Sequence, residues 1–279
     1  MIEVIEANII AKQLNEVLPG KIVKEVIAGF IPHGFAFFSG NKEEYSNYLN
    51  NKVCGETVVH GGIVELEIED YLVTFSDGTN LRYYKKEDKK PTKHQFYLGF
   101  EDETVLALTI SMYGHISVFK KGENDNIYYL TAKKKPSPLS NDFNYEYFNQ
   151  LKEEALKEKI NLSLKEFLAT KQRIPGLGNG TLHDILFNAA LHPKTKLNKL
   201  TLKEFEGLYT CLKETLEKML NEKGKDTEKD IYGISGGYKT VLSAKTYKQP
   251  CPKCHSEIIR QAYLGGNIYF CSNCQKEVK

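Results

Sequence analysis

The chain of 279 residues has no tryptophan, only three methionines and nine prolines, and no long apolar run. One of its longest uncharged stretches, Val26 to Gly40, is interrupted by Pro32 and three glycines. A membrane helix needs about 20 apolar residues, so no membrane partner is expected. The start Met1-Ile2-Glu3 lacks the basic opening of a signal peptide, and charges recur at Glu6 and Lys12. Charge of one sign is also missing overall: 38 basic against 36 acidic side chains leave +2. Cysteine is sparse, and Cys54 and Cys211 stand isolated. Together these absences point to a globular protein of a reducing cytoplasm, large enough for two cored domains.

The other four cysteines are patterned. Cys251-Pro-Lys-Cys254 and Cys271-Ser-Asn-Cys274 form two Cys-x-x-Cys turns near the end of the chain. Zn²⁺ takes four thiolates in a tetrahedron at about 2.3 Å, and two such turns supply them. Two disulfides are the alternative, one that suits small secreted scaffolds.

Charge is uneven along the chain. Residues 1–132 hold 13 basic and 19 acidic side chains, a balance of −6; the remainder hold 25 and 17, a balance of +8. A basic C-terminal half suits a polyanion, although lysine-rich faces are usually just solvated. Ile10, Ala11, Leu14, Val17 and Leu18 recur at helical spacing before Gly20, which reads as an amphipathic helix. Period-two alternation follows, with strands expected at 64–68, 71–75, 95–100, 105–110 and 115–119 and turns at Ser76-Asp77-Gly78 and Glu101-Asp102-Glu103. Short turns between strands favour an antiparallel sandwich or barrel. The run Lys133-Lys134-Lys135-Pro136-Ser137-Pro138 reads as an irregular linker. Beyond Asn141 the pattern is helical, and Thr201-Leu202-Lys203-Glu204 is a capping box for a helix ending near Gly224.

Three glycines stand in Ile174-Pro175-Gly176-Leu177-Gly178-Asn179-Gly180. Glycine lets the backbone approach a ligand, and a following helix would aim free N–H groups at a phosphate. A plain tight turn is equally compatible with these residues. Asp184-Ile185-Leu186-Phe187 and Ala190-Leu191-His192-Pro193 follow. With the glycine turn they resemble the helix–two-turn–helix of the formamidopyrimidine-DNA glycosylase/endonuclease VIII family. Pro136 to Ser140 is similar to that family's interdomain linker. Asp230-Ile231-Tyr232-Gly233 with Gly236-Gly237-Tyr238 is similar to the segment after its lesion loop. Pro250 to Gln275 is similar to its zinc finger.

The resemblance implies an α+β multidomain protein. An antiparallel β-sandwich flanked by a helix would fill 1–132, a helix–two-turn–helix domain 133–244, and a four-cysteine zinc ribbon 245–279. Double-stranded DNA, damaged or abasic, would lie in the cleft between domains, bound by a monomer at the nucleoid. One structural Zn²⁺ would sit on Cys251, Cys254, Cys271 and Cys274. Family members flip out oxidised bases, and an N-terminal proline amine attacks C1′. β- and δ-elimination then cut the strand, with a glutamate as acid–base group.

At the expected nucleophile this chain reads Ile2, while Glu3 and Glu6 keep the family's glutamates. The amine would then belong to Met1, one residue further out. Gly62 falls where the family has a catalytic lysine, and Gly266 or Asn267 where its finger has a phosphate-clamping arginine. Arg260 and Lys253, nearby, do not match that arginine; Arg260 is kept as a candidate DNA contact. The family's wedge residues fall on Thr79 and on Met112-Tyr113, which could still insert between bases or could simply end a strand. Glu3 is either the acid–base residue or a surface glutamate opening a helix. Candidate DNA contacts are therefore Gly176, Gly178, Asn179, Met112, Tyr113 and Arg260; candidate catalytic groups are Glu3, Glu6 and the Met1 α-amine. The expected function is a divergent glycosylase and AP lyase. The alternatives are a catalytically silent binder of damaged DNA or a zinc-ribbon protein acting on RNA or another protein.

Overall fold

Helix α1 (Val4–Val17) begins six residues before its apolar stripe becomes readable, because a capping box starts it. The Glu3 carboxylate accepts the Glu6 backbone N–H, and the Glu6 carboxylate accepts the Glu3 N–H at 3.3 Å. Two orphan donors are thereby satisfied reciprocally. Val4, Ile5, Ala7, Ile10, Ala11 and Leu14 form its buried face.

The computed structural model describes residues 1–277. It divides into two compact units, Met1–Lys133 with Lys223–Gly236, and Lys134–Glu222 with Gly237–Lys279. Among the described residues, no helix is long and apolar enough to cross a membrane.

The first unit is built on one seven-stranded sheet. Its strands are β1 (Val23–Ala28), β2 (Ala36–Phe38), β3 (Cys54–His60), β4 (Ile63–Ile68), β5 (Tyr71–Tyr84), β6 (Phe96–Phe100) and β7 (Val105–Lys120). The hydrogen-bonded order is β1-β6-β7-β5-β4-β3, all antiparallel, and β2 adds to β7 in parallel. Helix α1 packs on β3 and β4, and helix α2 (Tyr45–Leu49) on β1. The antiparallel class is as expected from the alternation, but two elements differ. Ser76-Asp77-Gly78 is not a turn. It is a β-bulge inside β5, where the register with β7 shifts between Asp77 and Thr79. Turn-type residues serve the bulge equally well. Asp77 has φ +59°, and a Cβ on Gly78 would sit 2.4 Å from the Tyr113 carbonyl oxygen. The strands expected at 105–110 and 115–119 are consequently one strand, β7, and Met112-Tyr113 lies within it rather than at its end.

The lysine-rich linker also begins later than the sequence suggests. Helix α3 (Ile127–Lys134) includes Lys133 and Lys134 and stops ahead of Pro136. It is pinned to the sheet by a buried polar knot. The Tyr129 hydroxyl donates to Glu65 Oε2 at 2.5 Å, Lys133 Nζ donates to that hydroxyl at 2.9 Å, and His60 Nε2 lies 3.3 Å from Glu65 Oε1.

The second unit is helical, with α4 (Tyr145–Glu158), α5 (Leu164–Ala169), α6 (Asn179–Asn188) and α7 (Leu202–Asn221). The Thr201 hydroxyl and Glu204 carboxylate close the predicted capping box of α7. Phe148, stacked on Phe205 with centroids 4.8 Å apart, and Phe167 build the core of this unit. The hairpin β8 (Ile258–Tyr263) and β9 (Gly266–Cys271) completes it.

Burial opposes ionisation of Glu65, but the hydrogen bonds from His60 and Tyr129 outweigh it and hold the carboxyl below its ordinary 4.5. A depressed folded-state pKa gives stability that is complete above about pH 4.5 and is lost as pH falls through the folded value. Glu65→Gln should lower stability at neutral pH by about 2 kcal/mol and flatten the acid limb. Denaturant titrations at pH 7 and pH 3 check both.

Candidate functional site

The first unit gathers an ionic cluster around its N-terminus. Lys225, from the segment that returns to this unit, is 1% exposed and places its Nζ 2.8 Å from Glu3 Oε2 and 3.3 Å from Glu6 Oε2. Glu3 and Glu6 are themselves 3% and 5% exposed, so the surface-glutamate alternative for Glu3 does not hold. Burial alone would favour a neutral amine on Lys225, but Glu3 and Glu6 reverse it and raise its pKa. Burial likewise pushes the Glu6 carboxyl up, with Lys225 pulling the other way. One cation thus serves two carboxylates. The outer oxygen of Glu6, Oε1, is buried without a hydrogen-bond partner among the described residues.

The N-terminus itself is anchored. The Met1 α-ammonium lies 2.6 Å from Glu228 Oε2, in an ion pair about one-third exposed. Ile2 is buried in the core of this unit, and its backbone N–H donates to the Asp77 carbonyl at 2.6 Å. Gly62 lies in the tight connection between β3 and β4. Met112 and Tyr113 are 60% and 43% exposed beside the bulge. Thr79 is buried.

The segment 224–229 is packed against the residues that follow it. Gly236 packs so closely on it that a Cβ there would stand 2.1 Å from the Gly224 carbonyl carbon. The Gly236 N–H donates to the Lys225 carbonyl at 3.2 Å. Nothing in the sequence distinguishes Lys225 from the other lysines of Lys223-Gly224-Lys225.

In the second unit the glycine turn leads into α6, with Gly178 as its N-cap and Gly176 at φ +78°. Asn179 opens the helix, and its buried Oδ1 has no hydrogen-bond partner among the described residues. The finger hairpin meets this turn: a Cβ on Gly266 would lie 3.1 Å from Asn179 Nδ2 and 3.7 Å from Lys165 Nζ. Lys165 Nζ in turn donates to the Tyr263 carbonyl at 2.6 Å. The glycine turn and the zinc segment, read as separate signals in the sequence, thus come together at Asn179 and Gly266. Lys165 had no motif to mark it. Arg260 stands apart, exposed on β8 with its guanidinium 5.6 Å over the Tyr247 ring. Asp184 locks α6 to the segment beyond α7 by accepting the Val241 and Leu242 N–H groups at 2.9 and 2.8 Å.

Cys251, Cys254, Cys271 and Cys274 bring their sulfurs within 4.8 Å of one another, with close pairs at 3.4 to 3.9 Å. Four thiolates at about 2.3 Å from a tetrahedral zinc stand about 3.8 Å apart, so this donor set fits that ion. All four are free thiols, which removes the disulfide alternative.

The Formamidopyrimidine-DNA glycosylase H2TH domain model matches residues 135–230. A formamidopyrimidine-DNA glycosylase of Bacillus licheniformis is 32% identical over 241 residues, covering 84% of this chain and 86% of that protein. One from Legionella pneumophila (strain Lens) is 35% identical over 157 residues, and that match spans about half of either protein, 55% of each. Among solved structures, a complex of Lactococcus lactis Fpg with abasic-site DNA superposes at TM-score 0.82, covering 99% of this chain and all of that one at 19% identity.

Removing the ammonium from the ionic cluster would leave two buried carboxylates facing each other. Lys225→Met should therefore cost about 3–5 kcal/mol, read by urea denaturation. Glu228→Gln, at the partly exposed pair, should cost less than about 1 kcal/mol.

Proposed function

Because the chain belongs to the formamidopyrimidine-DNA glycosylase family, we propose that it binds damaged or abasic double-stranded DNA in base-excision repair, as a divergent DNA glycosylase and AP lyase. The convergence of Asn179 with the finger hairpin carries this reading. A helix N-terminus offers unpaired N–H groups to an anion, and the Asn179 amide extends from that end toward Gly266 and Lys165. Side-chain amides, ammonium groups and helix N-termini are the usual partners of backbone phosphates. Gly176 and Gly178 keep the turn open to close approach. Arg260 and the wedge candidates Met112 and Tyr113 would add further contacts. The setting proposed is a monomer at the nucleoid in the cytoplasm.

One structural Zn²⁺ belongs to the same reading, held by Cys251, Cys254, Cys271 and Cys274. The ion would cross-link the two turns that carry β8 and β9, and so would hold Gly266 against Asn179. Displacing it with a thiol-reactive mercurial should release one zinc per chain and abolish duplex binding together. Release without loss of binding would detach the metal from the DNA grip.

The chemistry proposed runs through the Met1 α-amine, with Glu3 and Glu6 as acid–base candidates. A primary amine attacking C1′ expels the base and leaves a Schiff base, which borohydride reduces to a stable secondary amine. A second reading, silent binding, is favoured by a specific observation. Position 2 is a buried Ile2 whose N–H is bonded to Asp77, and the Glu3 carboxylate is held by Lys225.

Borohydride trapping on an abasic duplex separates the two. A covalent adduct that Glu3→Gln abolishes, with Met1 retained by intact mass, supports the lyase. Binding without adduct or nick leaves the silent reading, and failure to bind the duplex at all overturns both. Asn179→Ala should weaken duplex binding by roughly 5- to 30-fold at fixed salt, the equivalent of about 1–2 kcal/mol.

A further inference from the structure

A cavity of about 440 Å³ opens on the first unit beside the β5 bulge. Its rim is aromatic. Phe37, Tyr113 and Tyr128 line it while remaining 51%, 43% and 56% exposed, so their rings are accessible to a ligand. Its floor is polar, with Asp77, His115 and Ser117. A cavity of this size, with apolar walls and a few convergent polar groups, is the usual form of a small-ligand site.

The floor is held in place rather than loosely arranged. Ser39 Oγ lies 3.1 Å from His115 Nε2 and 2.9 Å from Ser117 Oγ, which itself lies 3.4 Å from His115 Nδ1. Burial pushes the His115 imidazole down, toward its neutral form. Asp77 is fixed at its backbone by the Ile2 N–H and at its carboxylate by the Ser76 hydroxyl, 3.2 Å from Oδ2. Burial raises the Asp77 carboxyl, and no ion pair to it is formed among the described residues. In its ionised form this carboxylate accepts N–H donors brought by a ligand.

Rings at the mouth and an acceptor on the floor match a nucleobase. Stacking on aromatic side chains accepts any base. The carboxylate is selective, because its two oxygens only accept. Two adjacent donors, a ring N–H beside an exocyclic amino group, satisfy it fully. Among the four DNA bases only guanine carries that pair on its pairing edge. Adenine and cytosine set one donor beside a ring acceptor, and thymine sets one donor between two carbonyls.

We propose that this cavity is a receptor for an unpaired, undamaged guanine, stacked at Phe37 and Tyr113 and read by the Asp77 carboxylate. The proposal deepens the DNA-binding function above and rests on it, but it concerns residues that play no part in the grip at Asn179. The site reads a base that has left its pair, so it would let the protein recognise a distorted duplex by an extruded guanine.

The test titrates the full-length protein with each of the four deoxynucleoside monophosphates by calorimetry or NMR, with abasic-duplex binding measured in parallel. dGMP should bind at least 10-fold more tightly than dAMP, dCMP or dTMP. Asp77→Asn replaces one acceptor by a donor, so it should lose at least 10-fold for dGMP and gain for dAMP or dCMP. Phe37→Ala, at an exposed ring, should weaken all four by roughly 5-fold or more, since every base stacks on an aromatic face. If Asp77→Asn fails to fold, Phe37→Ala and the base preference of the unaltered protein still decide. No dGMP binding, equal binding of the four nucleotides, or an unchanged preference in Asp77→Asn overturns the proposal. A protein that binds the abasic duplex but none of the nucleotides loses only this inference. One that binds no duplex loses the function proposed above.

Discussion

The contact between Lys225 and the two glutamates of α1 constrains the first unit more than any other. It joins residues more than 200 positions apart, and all three partners are nearly inaccessible to water. Burying two carboxylates is tolerable only with a cation between them, and burying the cation is tolerable only with the carboxylates. The same glutamates form the capping box that begins α1. Helix start, N-terminal anchorage and the return of the segment 223–236 to this unit are therefore one coupled arrangement. Its chemical consequence is equally direct. A glutamate that accepts an ammonium hydrogen bond in a buried pair is not a free proton carrier, and any acid–base role for Glu3 requires that pair to loosen.

The β5 bulge is the second organising device. Asp77 in a left-handed conformation and Gly78 against the Tyr113 carbonyl let two long strands pass each other with a shifted register. The bulge then serves three neighbours at once. It receives the Ile2 N–H, turns Asp77 into the cavity, and leaves Met112 and Tyr113 exposed on β7. Bulges are common beside functional sites because they re-aim a side chain without ending the sheet.

In the second unit, Gly266 is one of the two hairpin positions, with Asn267, on which the family resemblance places an arginine, and the space beside it is occupied by Asn179 and Lys165. Any side chain at 266 would press on the Asn179 amide. The hairpin and the glycine turn are thus fitted to each other as they stand. A side chain at 266 would need the Asn179 amide to give way by a few tenths of an ångström, while Lys165 Nζ would stand at ordinary contact distance.

The elements whose cause is local were legible in the residues alone. The two Cys-x-x-Cys turns, the Thr201 to Glu204 capping box, the alternating strand at 64–68 and the glycine turn before α6 each rest on chemistry within a few residues. The ordered motifs also identified the family, from the cysteine finger back to the linker. Where distant residues meet was set by packing of the folded units. The turn-like Ser76-Asp77-Gly78 became a bulge because a second strand faces it. Lys225 became a buried partner of Glu3 because a segment from beyond α7 folds back onto the first unit. The cavity floor joins side chains from β5 and β7 that no spacing relates. Local propensity specifies helix caps and metal turns, whereas desolvation of charge and the register between strands are settled only when the whole unit packs.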